Sequence, residues 1–256
     1  MGNNILVNDK YTPLFTPDGI KTRYVLVTGG RGSGKSFAAT LATAMKLYDK
    51  GNKVLFTRYT LDSAEDSVIP EFEEKLDLMD VRYDFTIRKK QITNKDSGST
   101  ILFRGIKTSS GRQTAKLKSI QGITIFVVDE GEEMPEADFD TIDRGIRSQN
   151  NQNIVVIIMN PSDTEHWVYK RYIKDTHRFE VVDGYPVPIS THPDVTHIHT
   201  TYLDNLDNLD TDYIKAVILS LKEKDPEQYA AKIIGTWQDI RTGLEAYNHF
   251  SFGRHV

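Results

Sequence analysis

The chain has 256 residues, contains no cysteine and carries a formal net charge of −4 at pH 7. The missing cysteines exclude disulfides and thiolate chemistry within this sequence, and no apolar run approaches the roughly 20 residues of a membrane span. The N-terminal residues show no signal-peptide pattern, because Asn3, Asn4, Asn8 and Asp9 interrupt it, and we expect a soluble intracellular protein that makes no membrane contact. Its acidic balance confines any nucleic-acid contact to local basic clusters or to surfaces shared between copies.

The first predicted elements surround a glycine-rich stretch. Residues 1–23 contain two prolines and little periodicity, which predicts an arm leading into the first strand. The β-branched run at 24–28 predicts that strand, and apolar residues at helical spacing from Phe37 to Tyr48 predict a helix. The stretch between strand and helix fits the pattern G-x-x-x-x-G-K-[ST] and consists of Gly29, Gly30, Arg31, Gly32, Ser33, Gly34, Lys35 and Ser36.

A strand, a glycine loop and a helix in this order are the context in which the pattern binds phosphate. Glycines let the loop point its backbone N–H groups at phosphate oxygens, and the positive end of the helix dipole adds to the attraction. We expect Lys35 to contact the β- and γ-phosphates and the Ser36 hydroxyl to hold Mg²⁺. The alternative is an ordinary turn between strand and helix, and the context argues against it.

The next segment predicts a second strand, a helix and then a pair of antiparallel strands. Residues 54–57 are β-prone, so we expect a β-α-β unit in which the two strands pair in parallel. Arg58 follows that strand and either senses phosphate or holds the fold. A helix is expected to begin at Ser67, hairpin-like antiparallel strands to lie within 83–105, and an exposed polar loop to occupy 107–118.

Two adjacent carboxylates end the next predicted strand. The apolar run at 123–128 leads into Asp129 and Glu130, which is the Walker B pattern. Because successive side chains diverge at a strand end, we expect Asp129 to hold Mg²⁺ and Glu130 to orient and deprotonate the attacking water. A solvated strand end is the alternative. Glu132 and Glu133 are interpreted as a solvated cluster at a helix start.

A further buried strand is predicted at 154–159 and ends at Asn160. A polar residue that closes the strand beside the carboxylates is positioned to sense the γ-phosphate, whereas Asn-Pro is also a common turn sequence. Three histidines raise the alternative of a metal site, which the missing carboxylate partner disfavours; they are His192, His197 and His199.

The remaining pattern predicts a smaller, partly helical region. A helix is expected at 166–173, a proline-rich loop at 183–196 and a strand at 197–202, followed by two helices. The whole pattern predicts an α/β fold with a central, mostly parallel sheet flanked by helices. We expect residues 1–163 to form the core and residues 164–256 to form a small lid packed over the nucleotide cleft.

The chain resembles the ATPase half of the tailed-phage large terminases, the motors that pack double-stranded DNA into proheads. The resemblance extends over roughly residues 23–240. It is carried by the loop at 29–36 with Arg31 inside it, and by the blocks at 58–61, 66–68, 103–105, 116–120, 129–133, 160–161 with Trp167, 200–205 and 235–237.

The resemblance implies a P-loop NTPase of the additional-strand, RecA-like class that uses ATP and Mg²⁺. Residues 29–36 would bind the ATP phosphates, and Arg31 would approach the γ-phosphate within its own subunit. Asp129 would serve Mg²⁺ and Glu130 would be the catalytic carboxylate. Asn160 would couple hydrolysis to movement.

The resemblance also implies partners. They are double-stranded DNA, a portal protein, a small terminase subunit and further copies in a ring, with the isolated chain a monomer in the host cytoplasm. Arg112 is the best-placed residue for an arginine finger that acts on a neighbouring subunit. Large terminases carry a second, RNase H-like nuclease domain. No strand with paired carboxylates follows Trp237, so we expect no nuclease activity from this chain.

Other functions remain open at this point. A helicase-like translocase shares the nucleotide site but usually contains two such cores in tandem. A nucleotide-dependent phosphotransferase is disfavoured by the paired carboxylates, which suit attack by water. A nucleotide-gated assembly protein would bind nucleotide with negligible turnover.

Overall fold

The computed structural model describes residues 5–16, 18–60, 68–108, 111–112, 117 and 120–239. The strands of its main sheet are β1 Tyr24–Gly29, β2 Lys53–Thr60, β3 Phe85–Arg88, β4 Gln91–Asn94, β5 Thr100–Thr108, β6 Gly111–Arg112, β7 Ile125–Val128, β8 Ile154–Met159 and, later in the chain, β11 Val195–Thr200. Two further strands form a separate hairpin, β9 His177–Val182 and β10 Tyr185–Ser190. Within the described residues, the order of the main sheet is β11-β1-β8-β7-β2-β5-β4-β3, and β6 pairs with β5.

Helices cover both faces of the main sheet. The first five are α1 Thr12–Phe15, α2 Lys35–Met45, α3 Val68–Leu78, α4 Glu136–Asp143 and α5 Trp167–Tyr172. Two later helices contain π-helical segments: α6 is Thr211–Tyr213, Ile214–Leu219 and Ser220–Lys224, and α7 is Pro226–Tyr229 and Ala230–Ile234. Short 3₁₀ turns lie at Asp9–Tyr11, Lys46–Tyr48, Arg82–Asp84, Gly131–Glu133 and Tyr202–Asn208. None of the helices that the structure describes combines the length and apolar content needed to cross a bilayer.

The mostly parallel sheet is confirmed, but the predicted pairing of the first two strands is wrong. β1 lies between β11 and β8, and β2 lies between β7 and β5. Helix α2 therefore carries the chain past two positions that are filled by strands from later in the sequence. A strand–helix–strand pattern predicts that its two strands are parallel, but it does not tell whether other strands lie between them in the sheet. β8 does lie beside β7, so Asn160 and the paired carboxylates end neighbouring strands.

The antiparallel strands predicted within 83–105 are present, with one strand more than expected. β4 pairs with β3 on one side and with β5 on the other, and both pairings are antiparallel. The turn between β4 and β5 is closed by Asn94, whose Oδ1 accepts from the backbone N–H of Asp96 and Ser97. β5 also pairs in parallel with β2, so the antiparallel strands β3 and β4 are part of the main sheet.

Alternate side chains of the central strands pack on opposite faces of the sheet. On one face, Val25, Val27 and Phe56 belong to a core that includes residues of α1, α2 and α3. On the other face, Leu26 and Phe126 pack with residues of α4 and α5. Burial on both faces explains why the central strands are continuous apolar runs, and each large side chain contributes roughly 1.5–3 kcal/mol.

The hairpin of β9 and β10 replaces the loop predicted at 183–196. Pro186 and Pro188 stand two residues apart on β10, so both ring nitrogens face the unpaired edge of a two-stranded sheet. Proline is tolerated there because no ladder hydrogen bond is lost. The prolines were therefore a misleading signal for a loop.

The last part of the described chain contributes to both the sheet and a separate cluster. β11 pairs with β1 in the main sheet. The hairpin, α6 and α7 form their own apolar cluster, which contains Val187, Ile189, Tyr202, Ile218, Tyr229, Ile233 and Ile234. The division into a core at 1–163 and a lid at 164–256 stays a prediction.

Candidate active site

The carboxyl ends of β1, β8, β7 and β2 meet at one edge of the sheet, where ligands bind in open α/β folds. The loop at 29–36 follows β1 and turns into α2. Its backbone is left-handed at Gly32 (φ 78°) and Gly34 (φ 77°), a conformation that glycine adopts without the Cβ clash of other residues. These two positions let the loop curl back over the start of α2.

Helix α7 holds the loop from the outside. The backbone N–H of Arg31 donates to the carbonyl oxygen of Lys232 at 2.8 Å. A Cβ at Gly30 would lie 1.9 Å from the carbonyl oxygen of Ile233. The loop and the last described helix are therefore in direct backbone contact, and the contact depends on a glycine.

Lys35 is buried at the start of α2, and its ammonium group makes two hydrogen bonds to protein oxygens. Its Nζ donates to Asn160 Oδ1 at 2.7 Å and to the carbonyl oxygen of Gly30 at 3.2 Å. Burial lowers the pKa of Lys35, while the carboxylates of Glu132 and Asp129 act in the opposite direction. A phosphate that binds Lys35 can accept from its third N–H group or replace one of these two oxygens.

Glu132 holds the side-chain amide of Asn160. Its Oε1 accepts from Asn160 Nδ2 at 2.8 Å, and its Oε2 accepts from the Asn160 backbone N–H at 3.2 Å. The interpretation of Glu132 as part of a solvated cluster is therefore wrong. Sequence reasoning missed it because the partner is 28 residues away and becomes a neighbour only when β8 lies beside β7.

Asp129 is buried and is bound through both of its oxygens. Arg58 Nε donates to Oδ2 at 2.7 Å, and the Glu130 backbone N–H donates to Oδ1 at 3.1 Å. The Asp129 backbone N–H donates to the Thr57 carbonyl at 2.8 Å, which ties the end of β7 to β2. Arg58 also approaches Glu71 Oε1 at 3.5 Å. Arg58 thus contacts the carboxylate that the sequence assigns to Mg²⁺.

Glu130 is aimed into the same cleft by an unusual backbone conformation. Its φ and ψ are 54° and 48°, a left-handed geometry that costs a non-glycine residue roughly 1–2 kcal/mol. The side chain stays open to solvent. Partial burial raises its pKa, the neighbouring carboxylates Asp129, Glu133 and Glu132 raise it further, and Arg58 lowers it.

A cavity of about 140 Å³ brings together Lys35, Ser36, Arg58, Asp129, Glu130 and Asn160. These residues come from the carboxyl-terminal parts of three neighbouring strands, β8, β7 and β2, and from the start of α2. The side chain of Arg31 is exposed and does not line this cavity. Arg112 is paired with Lys107 through β6, and its side chain lies outside the described part of the chain.

The residues around the loop fit a nucleotide and a divalent cation. The Ser33 hydroxyl is buried and has no hydrogen-bond partner among the described residues, so it can donate to a phosphate oxygen. A second cavity of about 690 Å³ adjoins the loop and is lined in part by Tyr11, Gly34 and Phe37, which suits a base and a ribose. Asp129 and Ser36 offer the hard oxygen donors that Mg²⁺ prefers.

The histidines of β11 form a hydrogen-bonded chain around Thr28, the residue before the loop. The Ser190 N–H donates to His197 Nδ1, so His197 Nε2 donates to Thr28 Oγ1 at 2.7 Å. The Thr28 hydroxyl donates to His199 Nδ1 at 2.8 Å, and His199 Nε2 donates to the Ile234 carbonyl. Burial lowers the pKa of the two histidines to about 3 and about 4. Both rings are therefore neutral at pH 7 and link β1 to the end of α7.

The metal site considered for the three histidines is not formed. No group of three or more histidine, cysteine, aspartate or glutamate side chains with metal-binding geometry occurs among the described residues. The nitrogens of His197 and His199 are instead used in the hydrogen-bonded chain.

Comparison with known proteins identifies the family. The sequence profile described as "Phage terminase large subunit" matches residues 21–236. The chain belongs to this family. It is 27% identical over 211 residues to the PBSX phage terminase large subunit of Bacillus subtilis (strain 168), and the match covers 80% of this chain and 47% of that protein.

Solved structures of phage terminases share the fold. The large terminase of a thermophilic bacteriophage superposes with a TM-score of 0.68 at 16% identity, covering 91% of this chain and 54% of that one. The large terminase ATPase domain of a Thermus phage superposes with a TM-score of 0.56 at 16% identity, covering 90% and 98%. The chain thus spans about half the length of the longer relatives and nearly all of an ATPase domain.

Proposed function

We propose that this chain hydrolyses ATP and that hydrolysis powers the translocation of double-stranded viral DNA into a prohead. The observation that carries the proposal is the cavity that joins the buried Lys35 to Asp129 and Glu130 at the sheet edge. Membership of the terminase family supports it, as do the ADP and ATP-γ-S complexes of the structurally similar thermophilic-phage terminase.

The loop at 29–36 would receive the phosphates. Lys35 would exchange its hydrogen bonds to Asn160 and Gly30 for bonds to phosphate oxygens, so nucleotide binding frees the Asn160 side-chain oxygen. The Ser33 hydroxyl and the loop N–H groups would donate to the same phosphates. The base and ribose would occupy the cavity beside Tyr11.

Glu130 would act on the attacking water. Mg²⁺ held by Asp129 and Ser36 would supply charge neutralisation at the β- and γ-phosphates. The raised pKa of Glu130 brings the carboxylate closer to the basicity that proton acceptance requires. Its exposure to the cleft leaves room for a water molecule, which favours hydrolysis over transfer to an organic acceptor.

Two arginines would stabilise charge in the transition state. Arg31 would fold over the γ-phosphate from its own loop, and Arg112 would reach it from a neighbouring copy in a ring. Arg31→Ala should bind ATP with nearly unchanged affinity and hydrolyse it poorly. Full activity of Arg31→Ala would exclude this role.

The proposed partners follow from the family. They are double-stranded DNA, the portal protein of the prohead, the small terminase subunit and further copies of this chain, and the working place is the host cytoplasm at the prohead. Asn160 would transmit hydrolysis to movement, and the region at 164–256 would act as the lid over the cleft.

An ATPase assay with and without double-stranded DNA and portal-bearing proheads tests the function. We expect slow turnover by the chain alone and stimulation by the prohead complex. Glu130→Ala should bind ATP but not hydrolyse it, Lys35→Ala should bind weakly, and Glu223→Ala, at an exposed position of α6, should match the unaltered chain. Turnover that depends on an organic phosphate acceptor would instead indicate a phosphotransferase, and strand separation without proheads would indicate a helicase. Nucleotide binding without turnover under every condition would refute the proposal.

A further inference from the structure

The orientation of the Asn160 amide decides what Lys35 meets at the end of β8. The amide presents its oxygen to Lys35 Nζ at 2.7 Å. A flip of the amide would place its NH₂ group there instead, and an ammonium group has no lone pair with which to accept a hydrogen bond. Something must therefore hold the amide in the orientation observed.

Glu132 is the group that selects this orientation. A carboxylate accepts hydrogen bonds and cannot donate them, so it pairs with Nδ2 and not with Oδ1 of Asn160. Both of its oxygens are used, one on the side chain at 2.8 Å and one on the backbone N–H at 3.2 Å. Hydrogen bonds to an ionised carboxylate are about twice as strong as neutral ones.

The turn after β7 is built to bring Glu132 under Asn160. Glu130 adopts its left-handed conformation and starts the 3₁₀ turn Gly131–Glu133. Gly131 packs so closely on β8 that an added Cβ would lie 2.8 Å from Ile157 Cγ2. The end of the turn is held by Trp167, whose Nε1 donates to the Met134 carbonyl at 2.6 Å.

We propose that Glu132 is a positioning residue for nucleotide binding and hydrolysis, which acts by holding the Asn160 amide with its oxygen towards Lys35. The proposal rests on the proposed function of this site. It connects the turn that carries Glu130 with the phosphate-binding lysine through one amide. When a substrate phosphate replaces the Asn160 oxygen as the partner of Lys35, that oxygen would lose its hydrogen bond but keep the position in which Glu132 holds it.

A double-mutant cycle tests the proposal. The variants are Glu132→Ala, Asn160→Ala and the double variant, with Glu223→Ala, at an exposed glutamate of α6, as the matched control. Affinity for a fluorescent ADP analogue and the kcat and KM for ATP are measured for each, together with the thermal midpoint. We expect Glu132→Ala and Asn160→Ala each to lower kcat by about tenfold or more, since each removes a hydrogen bond with a charged group.

The decisive result is the behaviour of the double variant. If Glu132 acts through the Asn160 amide, removing Glu132 in the Asn160→Ala background has a much smaller effect on affinity and kcat than in the unaltered chain, the remainder being its bond to the backbone N–H and its charge. Full additivity of the two changes would overturn the proposal, as would unaltered kinetics of Glu132→Ala. Glu132→Gln keeps one acceptor oxygen and should recover part of the lost activity, which also covers the case in which the alanine variant folds poorly.

A readout without nucleotide separates this proposal from the proposed function. The side-chain amide resonances of Asn160, assigned by their absence in Asn160→Ala, should shift in Glu132→Gln and stay unchanged in Glu223→Ala. If the unaltered chain does not hydrolyse ATP, the proposed function fails while the amide spectrum still decides whether Glu132 holds Asn160. Asn160 resonances that are the same in Glu132→Gln and the unaltered chain would refute the contact itself.

Discussion

Replacing Arg58 with methionine isolates the ion pair at the end of β7. The change keeps an apolar stem and removes the guanidinium group, whose Nε lies 2.7 Å from Asp129 Oδ2. Asp129 is only 5% exposed, so its carboxylate would lose a charged partner in a place that water hardly reaches. The backbone N–H of Glu130 would remain as a donor to its other oxygen.

The burial of the Arg58–Asp129 pair determines how much stability Arg58→Met should lose. A hydrogen bond to a charged group contributes about 1.5–3 kcal/mol, and removing one partner of a fully buried pair costs about 3–5 kcal/mol. The Arg58 side chain is 15% exposed, which places this pair just short of full burial. We expect Arg58→Met to lower the free energy of unfolding by about 2–3 kcal/mol at pH 7.

Urea unfolding followed by circular dichroism measures this loss. Arg82→Met is the matched control, because Arg82 pairs with Glu73 at 2.8 Å but the two side chains are 43% and 28% exposed. Exposed pairs contribute about 0–1 kcal/mol, so the control should be nearly as stable as the unaltered chain. Equal losses in the two variants would refute the reasoning, because burial would then have no part in the cost.

Three further changes probe the surroundings of the loop. Thr28→Val should lower the free energy of unfolding by about 2–4 kcal/mol in urea titrations, because ring nitrogens of His197 and His199 lose a buried partner; Thr28→Ser should recover most of the loss. Stability should decrease by about 2.7 kcal/mol per pH unit as the pH falls from about 6.5 to about 4, because the pKa values of folded His197 and His199 are lowered to about 3 and about 4 and only the unfolded chain binds the two protons; a flat profile between pH 7 and pH 5 would contradict this. Gly30→Ala should weaken binding of a fluorescent ADP analogue by about tenfold, the effect of overpacking against α7. Gly98→Ala strains the turn between β4 and β5, where φ is 73°, but meets no atom within 4 Å and should leave the affinity unchanged.

Local sequence patterns were sufficient to predict most strands and helices and part of the candidate active site. The strand at Ile154–Met159 has the predicted bounds, because a continuous apolar run is a signal carried by neighbouring residues. The hairpin strand Tyr185–Ser190 was missed, since proline disfavours a strand only when its ring nitrogen faces a partner. Which edge it faces is decided by pairing with β9, and the local sequence does not contain that information.

The phosphate loop and the adjacent pair Asp129 and Glu130 were readable from sequence, because each is a short run whose function depends on chain neighbours. The order of the strands could not be read from the sequence, and that order decides which side chains of different strands come into contact. Lys35 meets Asn160 across 125 positions, and Arg58 meets Asp129 across 71. These contacts exist because parallel strands bring their carboxyl ends to one edge, where distant polar side chains must satisfy one another away from water.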